Sequence, residues 1–263
     1  MTLQTVLVDI DKRGVATVSL NRPDVRNALN PLLISDLTTT IQALGKSNDV
    51  RAIVLKGEGK VFCAGADLGY MKDIATFSYE DNVQDALALG SLFEAVYTCP
   101  KPTISIVQGG AYGGGVGLVA TTDICIATSD SKFCLSEVRL GIVPGVISPY
   151  IVKAIGQRNA RRFTLTAELI DTQLALDCGL IHQIADSLET ALSLCLDNIL
   201  KGSPVAQTAV KELLRTVESQ PINSDLKTFT AKAIATARAT PDGQEGLKAF
   251  LEKRQPNWIT NHE

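Results

Sequence analysis

Strand-like and helical patterns alternate along the first 200 residues, and this alternation restricts the chain to few folds. Residues 3–10, 14–20 and 51–56 have the alternating or continuous apolar character of strands. Residues 79–98 instead carry apolar side chains at helical spacing. Asn30-Pro31 between these segments supplies an N-cap and an N1 proline, which predicts another helix. Strands that alternate with helices favour an α/β fold built from βαβ units.

The pattern changes after Gly202, where helix signals follow one another without strands between them. A capping residue followed by a good first helical residue predicts each helix start. The three starts are Ser203-Pro204, Asn223-Ser224 and Thr240-Pro241. We therefore predict a core over residues 1–200 and a helical region over residues 201–263.

Composition excludes several classes of partner. A net charge of −3 gives no basic field, so we expect no nucleic acid partner. No apolar run reaches the roughly 18 residues of a membrane span, and the acidic N-terminal residues do not form a basic leader. The six cysteines form no C-x-x-C pair and the chain has two histidines, so we expect no metal site. Free cysteines within apolar runs favour a cytoplasmic location.

Two glycine-rich loops each follow a predicted strand and open a predicted helix. The first glycine loop spans residues 62–67 (Phe-Cys-Ala-Gly-Ala-Asp), and the second spans residues 109–117 (Gly-Gly-Ala-Tyr-Gly-Gly-Gly-Val-Gly). Such turns expose unpaired N–H groups at the positive end of a helix dipole, and glycine lets a ligand approach them closely. Single glycines would also serve tight turns alone, but three consecutive glycines favour a ligand site.

Nucleotide-binding motifs do not match the second glycine loop. The spacing Gly113-x-Gly115-x-Gly117 differs from G-x-G-x-x-G, and the segment before the strand at Ile124 is too short for a dinucleotide-binding crossover. No Gly-Lys-Ser/Thr sequence follows, which excludes a P-loop. No motif therefore supports an oxidoreductase.

Glu137 is the carboxylate with the most unusual surroundings. It lies in an apolar stretch punctuated by Gly141 and Pro144. Partial burial of a carboxyl group raises its pKa toward a range useful for moving protons. A surface ion pair with Arg139, or a helix cap, is the structural alternative.

Together these segments resemble the crotonase superfamily, the enoyl-CoA hydratases and isomerases. The resemblance covers almost the whole chain and depends on the order and spacing of several motifs. The motifs are Leu20-Asn-Arg-Pro, Arg26-Asn-Ala-Leu, Phe62-Cys-Ala-Gly-Ala-Asp-Leu, Lys101-Pro-Thr, Gly109-Gly-Ala-Tyr-Gly-Gly-Gly-Val-Gly-Leu, Thr122-Asp-Ile and Phe250-Leu-Glu-Lys-Arg. It implies a crotonase-type spiral of ββα units with a helical C-terminal trimerisation region.

The resemblance also implies roles for individual residues. The backbone N–H groups of Ala66 and Gly114 would hold the thioester oxygen, and Glu137 would move protons. The segment at residues 201–263 would serve oligomerisation and reach a neighbouring subunit's CoA. The implied substrate and CoA contacts are Arg26, Asn27, Ala28, Leu29, Ala64, Gly65, Asp67, Leu68, Gly113, Phe250 and Lys253. A solvated lysine on a helix face is the alternative for Lys253.

One position departs from the pattern of the best-known hydratases, which use two glutamates. Gly117 occupies the position of the first glutamate, and Glu137 matches the second. The stretch from Ser136 to Tyr150 is most similar to bacterial hydratases of branched, carboxylated enoyl-CoAs. Their substrates include 3-methylglutaconyl-CoA of leucine breakdown and isohexenylglutaconyl-CoA.

Three hypotheses for the function follow. The first is hydration of an enoyl-CoA, with a branched, carboxylated substrate such as 3-methylglutaconyl-CoA as the candidate. The second is Δ3,Δ2-enoyl-CoA isomerisation, in which one glutamate shuttles a proton. The third is a CoA-thioester-binding protein with vestigial activity, motivated by the absent glutamate. The resemblance further implies a homotrimer or homohexamer, no permanently bound cofactor, and coenzyme A as part of the substrate.

Overall fold

The computed structural model describes residues 5–259 of the chain. The strands are Val6–Ile10 (β1), Val15–Leu20 (β2), Ala52–Gly57 (β3), Thr103–Val107 (β4), Gly110–Tyr112 (β5), Ile124–Thr128 (β6), Lys132–Cys134 (β7), Ile170–Asp171 (β8) and Gln183–Ala185 (β9). The α-helices are Pro31–Lys46 (α1), Leu68–Ile74 (α2), Tyr79–Tyr97 (α3), Gly114–Thr121 (α4), Ser148–Thr166 (α5), Thr172–Asp177 (α6), Leu188–Leu200 (α7), Pro204–Glu218 (α8), Ser224–Ala239 (α9) and Pro241–Leu251 (α10). Pro23–Val25 and Glu137–Leu140 form short 3₁₀ turns.

Two sheets organise the core. The larger has six strands in the order β1-β2-β3-β4-β6-β9, in which β1 and β2 are antiparallel and the remaining neighbours are parallel. The smaller has three strands in the order β5-β7-β8, with β5 and β7 parallel. The predicted α/β class is therefore confirmed.

Strand β3 shows why this part of the sequence is continuously apolar. Ile53 and Leu55 face the main core with α1 and α3, whereas Ala52 and Val54 face a second cluster with α7. A strand covered by helices on both faces has no solvent-facing side, so its apolar residues do not alternate with polar ones. At β3 the larger sheet is therefore covered by helices on both faces.

Local capping signals place most helix starts where the sequence predicts them. The Asn30 side chain accepts a hydrogen bond from Leu33 N–H at 3.0 Å, with Pro31 as the first helical residue. Ser203, Asn223 and Thr240 likewise cap α8, α9 and α10. These side chains satisfy N–H groups that the first helical turn leaves unpaired.

Three features differ from the sequence prediction. The sequence predicts two helices over residues 144–155 and 159–165, whereas the structure has one helix, α5, which begins at Ser148 and bends at Gly156 (φ 72°). The strands β5, β8 and β9 were not predicted, because two or three residues are too few to show alternation. The predicted strand at 3–10 begins at Val6, and its residues 3 and 4 lie outside the described residues.

The helical region packs onto the core through Arg51. The guanidinium donates to the carbonyl oxygens of Trp258 (3.1 Å), Leu200 (3.3 Å) and Gly202 (2.9 Å). The bonds to Gly202 and Trp258 therefore attach the start and the described end of the helical region to the residue that precedes β3. No helix between residues 5 and 259 is long and apolar enough to cross a membrane.

Candidate active site

Parallel pairing brings three loop segments together at one edge of the smaller sheet. Cys63 forms a bridge with Ala111, and Tyr112 pairs with Cys134 at the end of β5 and β7. Strands that run in parallel deliver the residues that follow them to the same edge. The residues three positions beyond Cys63, Ala111 and Cys134 are Ala66, Gly114 and Glu137. These three residues line a single cleft.

The N–H of Ala66 is directed by the bridge between Leu29 and the first glycine loop. Leu29 N–H donates to Gly65 O at 2.7 Å, and Asp67 N–H donates to Leu29 O at 2.9 Å. In a parallel bridge this pattern turns the N–H of the intervening residue away from the partner segment. Within residues 5–259, Ala66 N–H donates no hydrogen bond to the protein, so it is available to a ligand.

The N–H of Gly114 is the first of helix α4. Gly113 precedes it with φ 48° and ψ −117°, a conformation open mainly to glycine. Gly113 N–H donates to Cys134 O at 2.9 Å, but Gly114 N–H has no acceptor among the described residues. A free N–H at a helix N-terminus sits where the dipole favours negative charge.

The Glu137 carboxylate lies beside this helix start. Its Oε1 is 3.2 Å from the position that a Cβ would take on Gly113. Its Oε2 is buried and has no hydrogen-bond donor in the described part of the chain. An ionised oxygen without a donor is poorly stabilised and free to accept a proton from a ligand in the cleft.

Burial raises the pKa of Glu137, and a hydrogen bond from its own backbone N–H opposes that rise. The folded protein therefore keeps the proton on Glu137 at pH values where the unfolded chain has lost it. The stability that this group contributes is fully present below the ordinary pKa of glutamate, about 4.3, and is lost as pH rises through the raised pKa.

We expect Glu137→Gln to unfold at higher urea concentration than wild type near pH 8, with the difference shrinking toward pH 5. A difference that stays constant over this range would show that Glu137 titrates normally.

The space around Gly113 provides a second test of the site. A methyl group at position 113 would press on the Glu137 carboxylate at 3.2 Å. Because misplacing a catalytic group by about 1 Å costs on the order of 100-fold in rate, we expect Gly113→Ala to lower kcat by roughly that factor. Gly156→Ala is the matched control, since Gly156 has a similar φ of 72° but its Cβ would meet nothing within 4 Å. Equal losses in the two variants would attribute the effect to backbone strain alone.

Gly117, the position at which the family resemblance implies the first glutamate of two-glutamate hydratases, has no room for a larger side chain. A Cβ at this position would lie 2.4 Å from Ile147 Cγ2 and 2.9 Å from Phe93 Cε1. Both side chains are buried, at 3% and 0% exposure, so neither can move into solvent. The site of the first glutamate is thus filled with apolar atoms.

The cleft has a volume of about 320 Å³ and mostly apolar walls. Helices α2 and α3 form one wall, residues 140–147 form another, and the two glycine loops close the inner end. Of the predicted site residues, the lining includes Leu29, Ala64, Gly65, Ala66, Leu68, Gly113, Gly114 and Glu137. An apolar cleft that ends in directed N–H groups suits an acyl chain with a polar head.

Other predicted contacts lie outside the cleft. Asn27 and Ala28 are buried at 0% and 5% exposure, and their predicted contact with CoA stays a prediction. The Asn27 amide donates to Glu58 O (2.9 Å) and Val61 O (2.8 Å) and accepts from Arg22 N–H (2.9 Å), so it supports the loop. Arg26 is exposed at the mouth of the first glycine loop, where Ala64 N–H donates to its carbonyl at 2.9 Å.

Phe250 and Lys253 are exposed on the surface of the helical region and are not part of the cleft lining of their own chain. Phe250 is 82% exposed, which is unusual for a large aromatic side chain. Their contact with a neighbouring subunit's CoA stays a prediction.

Asp67 holds the first glycine loop and was expected to contact CoA. Its Oδ1 caps α2 by accepting from Gly69 N–H (2.8 Å) and Tyr70 N–H (3.2 Å). Its Oδ2 forms an ion pair with Arg22 Nη2 at 2.8 Å, and these contacts hold the pKa of Asp67 below its usual value despite burial. Arg22 also donates to Ala28 O at 2.5 Å. It therefore binds one neighbour of each residue in the Leu29–Ala66 bridge, which directs the Ala66 N–H.

Sequence reasoning missed two polar residues in the acyl part of the cleft. Tyr70 and Asp85 both line it, and Tyr70 OH donates to Asp85 Oδ1 at 2.5 Å. No group of three or more potential metal-ligating side chains is present between residues 5 and 259.

Comparisons with known proteins agree with this geometry. The model of the enoyl-CoA hydratase/isomerase family matches residues 11–261. A crystal structure of an enoyl-CoA hydratase from Shewanella pealeana superposes with a TM-score of 0.95 at 42% identity, covering 97% of this chain and 96% of that one. The chain is 36% identical over 251 residues to enoyl-CoA hydratase AKT6-1 of Alternaria alternata, covering 94% of this chain and 81% of the relative. It is 33% identical over 257 residues to 2,3-dehydroadipyl-CoA hydratase of Escherichia coli, covering 94% and 96%.

The fold and the three converging loops therefore define a crotonase. The chain belongs to the enoyl-CoA hydratase/isomerase family and is an enzyme of that family. The predicted crotonase fold with a helical C-terminal region is confirmed.

Proposed function

We propose that this enzyme adds water across the C2=C3 double bond of an enoyl-CoA thioester. The observation that supports this most strongly is the meeting of two unpaired N–H groups, at Ala66 and Gly114, with the Glu137 carboxylate in one apolar cleft. Related proteins named enoyl-CoA hydratases, such as those of Shewanella and Alternaria, support the same reaction.

In this proposal Glu137 removes a proton from water while the water oxygen bonds to C3. The π electrons of the double bond move to form an enolate, and negative charge develops on the thioester oxygen. The N–H groups of Ala66 and Gly114 stabilise that charge, each by about 3–4 kcal/mol. Glu137 then returns the proton to C2, so one carboxylate completes a syn addition.

The absence of a second glutamate shapes this mechanism. Gly117 leaves no space for a carboxylate, and Ile147 and Phe93 occupy the volume instead. Glu137 must both orient and deprotonate the water. Its raised pKa, caused by burial, brings the carboxyl group closer to the pH at which it both accepts and donates protons efficiently.

The proposed substrate and CoA contacts are residues 26–29, the first glycine loop with Leu68, and Gly113, together with Phe250 and Lys253 of a neighbouring subunit. CoA enters as part of the substrate, and the proposed reaction requires no permanently bound cofactor. Hydration transfers protons and adds water without net oxidation or reduction. Glu137 and the two N–H groups can therefore support it without a redox group.

A homotrimer or homohexamer would supply that neighbouring subunit. The helices α8, α9 and α10 carry exposed apolar side chains suited to burial between subunits. They include Val210, Leu214, Phe229, Ile234, Leu247, Phe250 and Leu251. Light scattering at several protein concentrations tests this, because a monomer at micromolar concentration would contradict the proposal.

Isomerisation of a 3-enoyl-CoA to the 2-enoyl form is the second candidate, and the single carboxylate favours it. Glu137 would remove a proton from C2, the same N–H groups would stabilise the dienolate, and Glu137 would return the proton to C4. This reaction uses no water, so it does not need a second glutamate to orient one.

A panel of substrates separates the two reactions. Purified enzyme is mixed with crotonyl-CoA, 3-methylglutaconyl-CoA and 3-enoyl-CoAs of several lengths, and the products are identified by mass spectrometry. A mass gain of one water with loss of the enone absorbance supports hydration. A shifted double bond without a mass gain, together with no hydration of any 2-enoyl-CoA, would replace hydration by isomerisation.

A further inference from the structure

Asp85, Leu89 and Phe93 lie four residues apart on one side of helix α3, and the first two line the cleft. Phe93 packs at the inner end, where its Cζ is 3.8 Å from the position of a Cβ on Gly114. Leu89 and Asp85 line the cleft farther out. At 1.5 Å per residue, Asp85 lies roughly 12 Å along the helix from Phe93. A polar group therefore stands at the distal end of an otherwise apolar acyl site.

Tyr70 fixes the Asp85 carboxylate in this place. Its hydroxyl donates to Asp85 Oδ1 at 2.5 Å, and its ring packs edge-on against Phe77 with centroids 6.1 Å apart. Burial and the neighbouring carboxylate raise the pKa of Tyr70 to about 12, so its hydroxyl stays protonated and continues to donate.

The charged side chains that line the cleft are all acidic. Among the described residues that line it, the charged side chains are Asp85 and Glu137, and no lysine, arginine or histidine is present. Arg139, which follows Glu137 by two residues, is exposed and is not part of the lining. A carboxylate at the end of an acyl chain would meet Asp85 without a cation in the cleft lining to offset the repulsion.

We propose that the Tyr70–Asp85 pair makes this site specific for enoyl-CoAs with uncharged acyl chains and rejects chains that end in a carboxylate. The proposal rests on the proposed hydration and names its substrate class. It opposes the expectation of a 3-methylglutaconyl-type substrate. It also separates this chain from its E. coli relative, whose name gives a carboxylated substrate.

Matched substrates of equal carbon number test this specificity. One pair is 2-hexenoyl-CoA and 2,3-dehydroadipyl-CoA, and longer pairs ending in methyl or carboxylate extend the series toward Asp85. We expect wild type to give at least about tenfold higher kcat/KM with the methyl-ended member of the longer pairs. Asp85→Asn is expected to reduce that ratio by about tenfold, mainly through a lower KM for the carboxylate-ended member.

The quantity compared between variants is the ratio of kcat/KM for the methyl-ended substrate to kcat/KM for the carboxylate-ended one. A general loss of activity or of folded protein lowers both values and leaves this ratio unchanged. Glu94→Gln is the matched control, because it removes one negative charge from an exposed position of α3 outside the cleft, and its ratio is expected to equal that of wild type. Tyr70→Phe removes the hydrogen bond but keeps the charge, so it should retain the preference for methyl ends.

The outcomes separate this proposal from the proposed function. Hydration of crotonyl-CoA with equal kcat/KM for both members of every pair, or an unchanged ratio in Asp85→Asn, would overturn the specificity and leave hydration standing. Failure of wild type to hydrate any member of the series would overturn hydration itself, and the specificity with it.

Discussion

Replacing Glu137 by glutamine is expected to lower kcat by about 10²–10⁴-fold, the usual contribution of a general acid or base. Glutamine keeps the size of the side chain and removes the proton acceptor. Glu137 Oε2 has no hydrogen-bond donor within residues 5–259, so the substitution breaks no protein contact at that atom. Steady-state kinetics with the best substrate of the panel measures the effect, and thermal unfolding monitors the fold.

Glu94→Gln serves as the control for this prediction, because it makes the same chemical change at an exposed position outside the cleft. Its kcat is expected to match that of wild type. Turnover by Glu137→Gln within a few-fold of wild type would remove Glu137 from the mechanism. Absence of turnover by wild type itself, with binding of CoA thioesters retained, would support the vestigial binding protein instead.

Introducing glutamate at Gly117 is expected to destabilise the protein by about 3 kcal/mol or more and not to restore two-carboxylate chemistry. Overpacking of a buried site costs about 1–3 kcal/mol, and an unpaired buried carboxylate adds to that cost. The first added atom would already lie 2.4 Å from Ile147 Cγ2. Urea unfolding measures the change.

Gly90→Ala provides the comparison for this substitution. Gly90 also lies within a helix, but its Cβ would meet Val146 Cγ1 at an ordinary 3.6 Å. Alanine there is expected to leave stability unchanged or raise it by up to about 1 kcal/mol. A Gly117→Glu protein with wild-type stability and a higher hydration rate would show that the site can accommodate the second glutamate.

Elements defined by local chemistry could be predicted from the sequence. The N-caps at Asn30 and Ser203 bond to the first turns of their helices as expected. The glycine loops and Glu137 were identified from residue type and order, and the structure brings them into one cleft. The catalytic roles of Ala66 and Gly114 came from the family resemblance and stay predictions.

Features that depend on packing could not be predicted in the same way. Asn27 matches a family motif, but its burial follows from contacts with residues 58 and 61, more than 30 positions away. Asp85 belongs to a long amphipathic helix, and only the rotation of α3 against the cleft shows that it faces the acyl site. The division at residue 200 and the assembly of subunits stay predictions.

The most direct test of the central claim is a crystal structure of Glu137→Gln with crotonyl-CoA. The glutamine slows turnover while preserving the shape of the site. We expect the thioester oxygen within about 2.7–3.1 Å of both Ala66 N and Gly114 N, with the side chain of residue 137 beside C2 and C3 of the acyl group. A thioester oxygen that contacts neither N–H, or an acyl chain outside the cleft, would contradict the account.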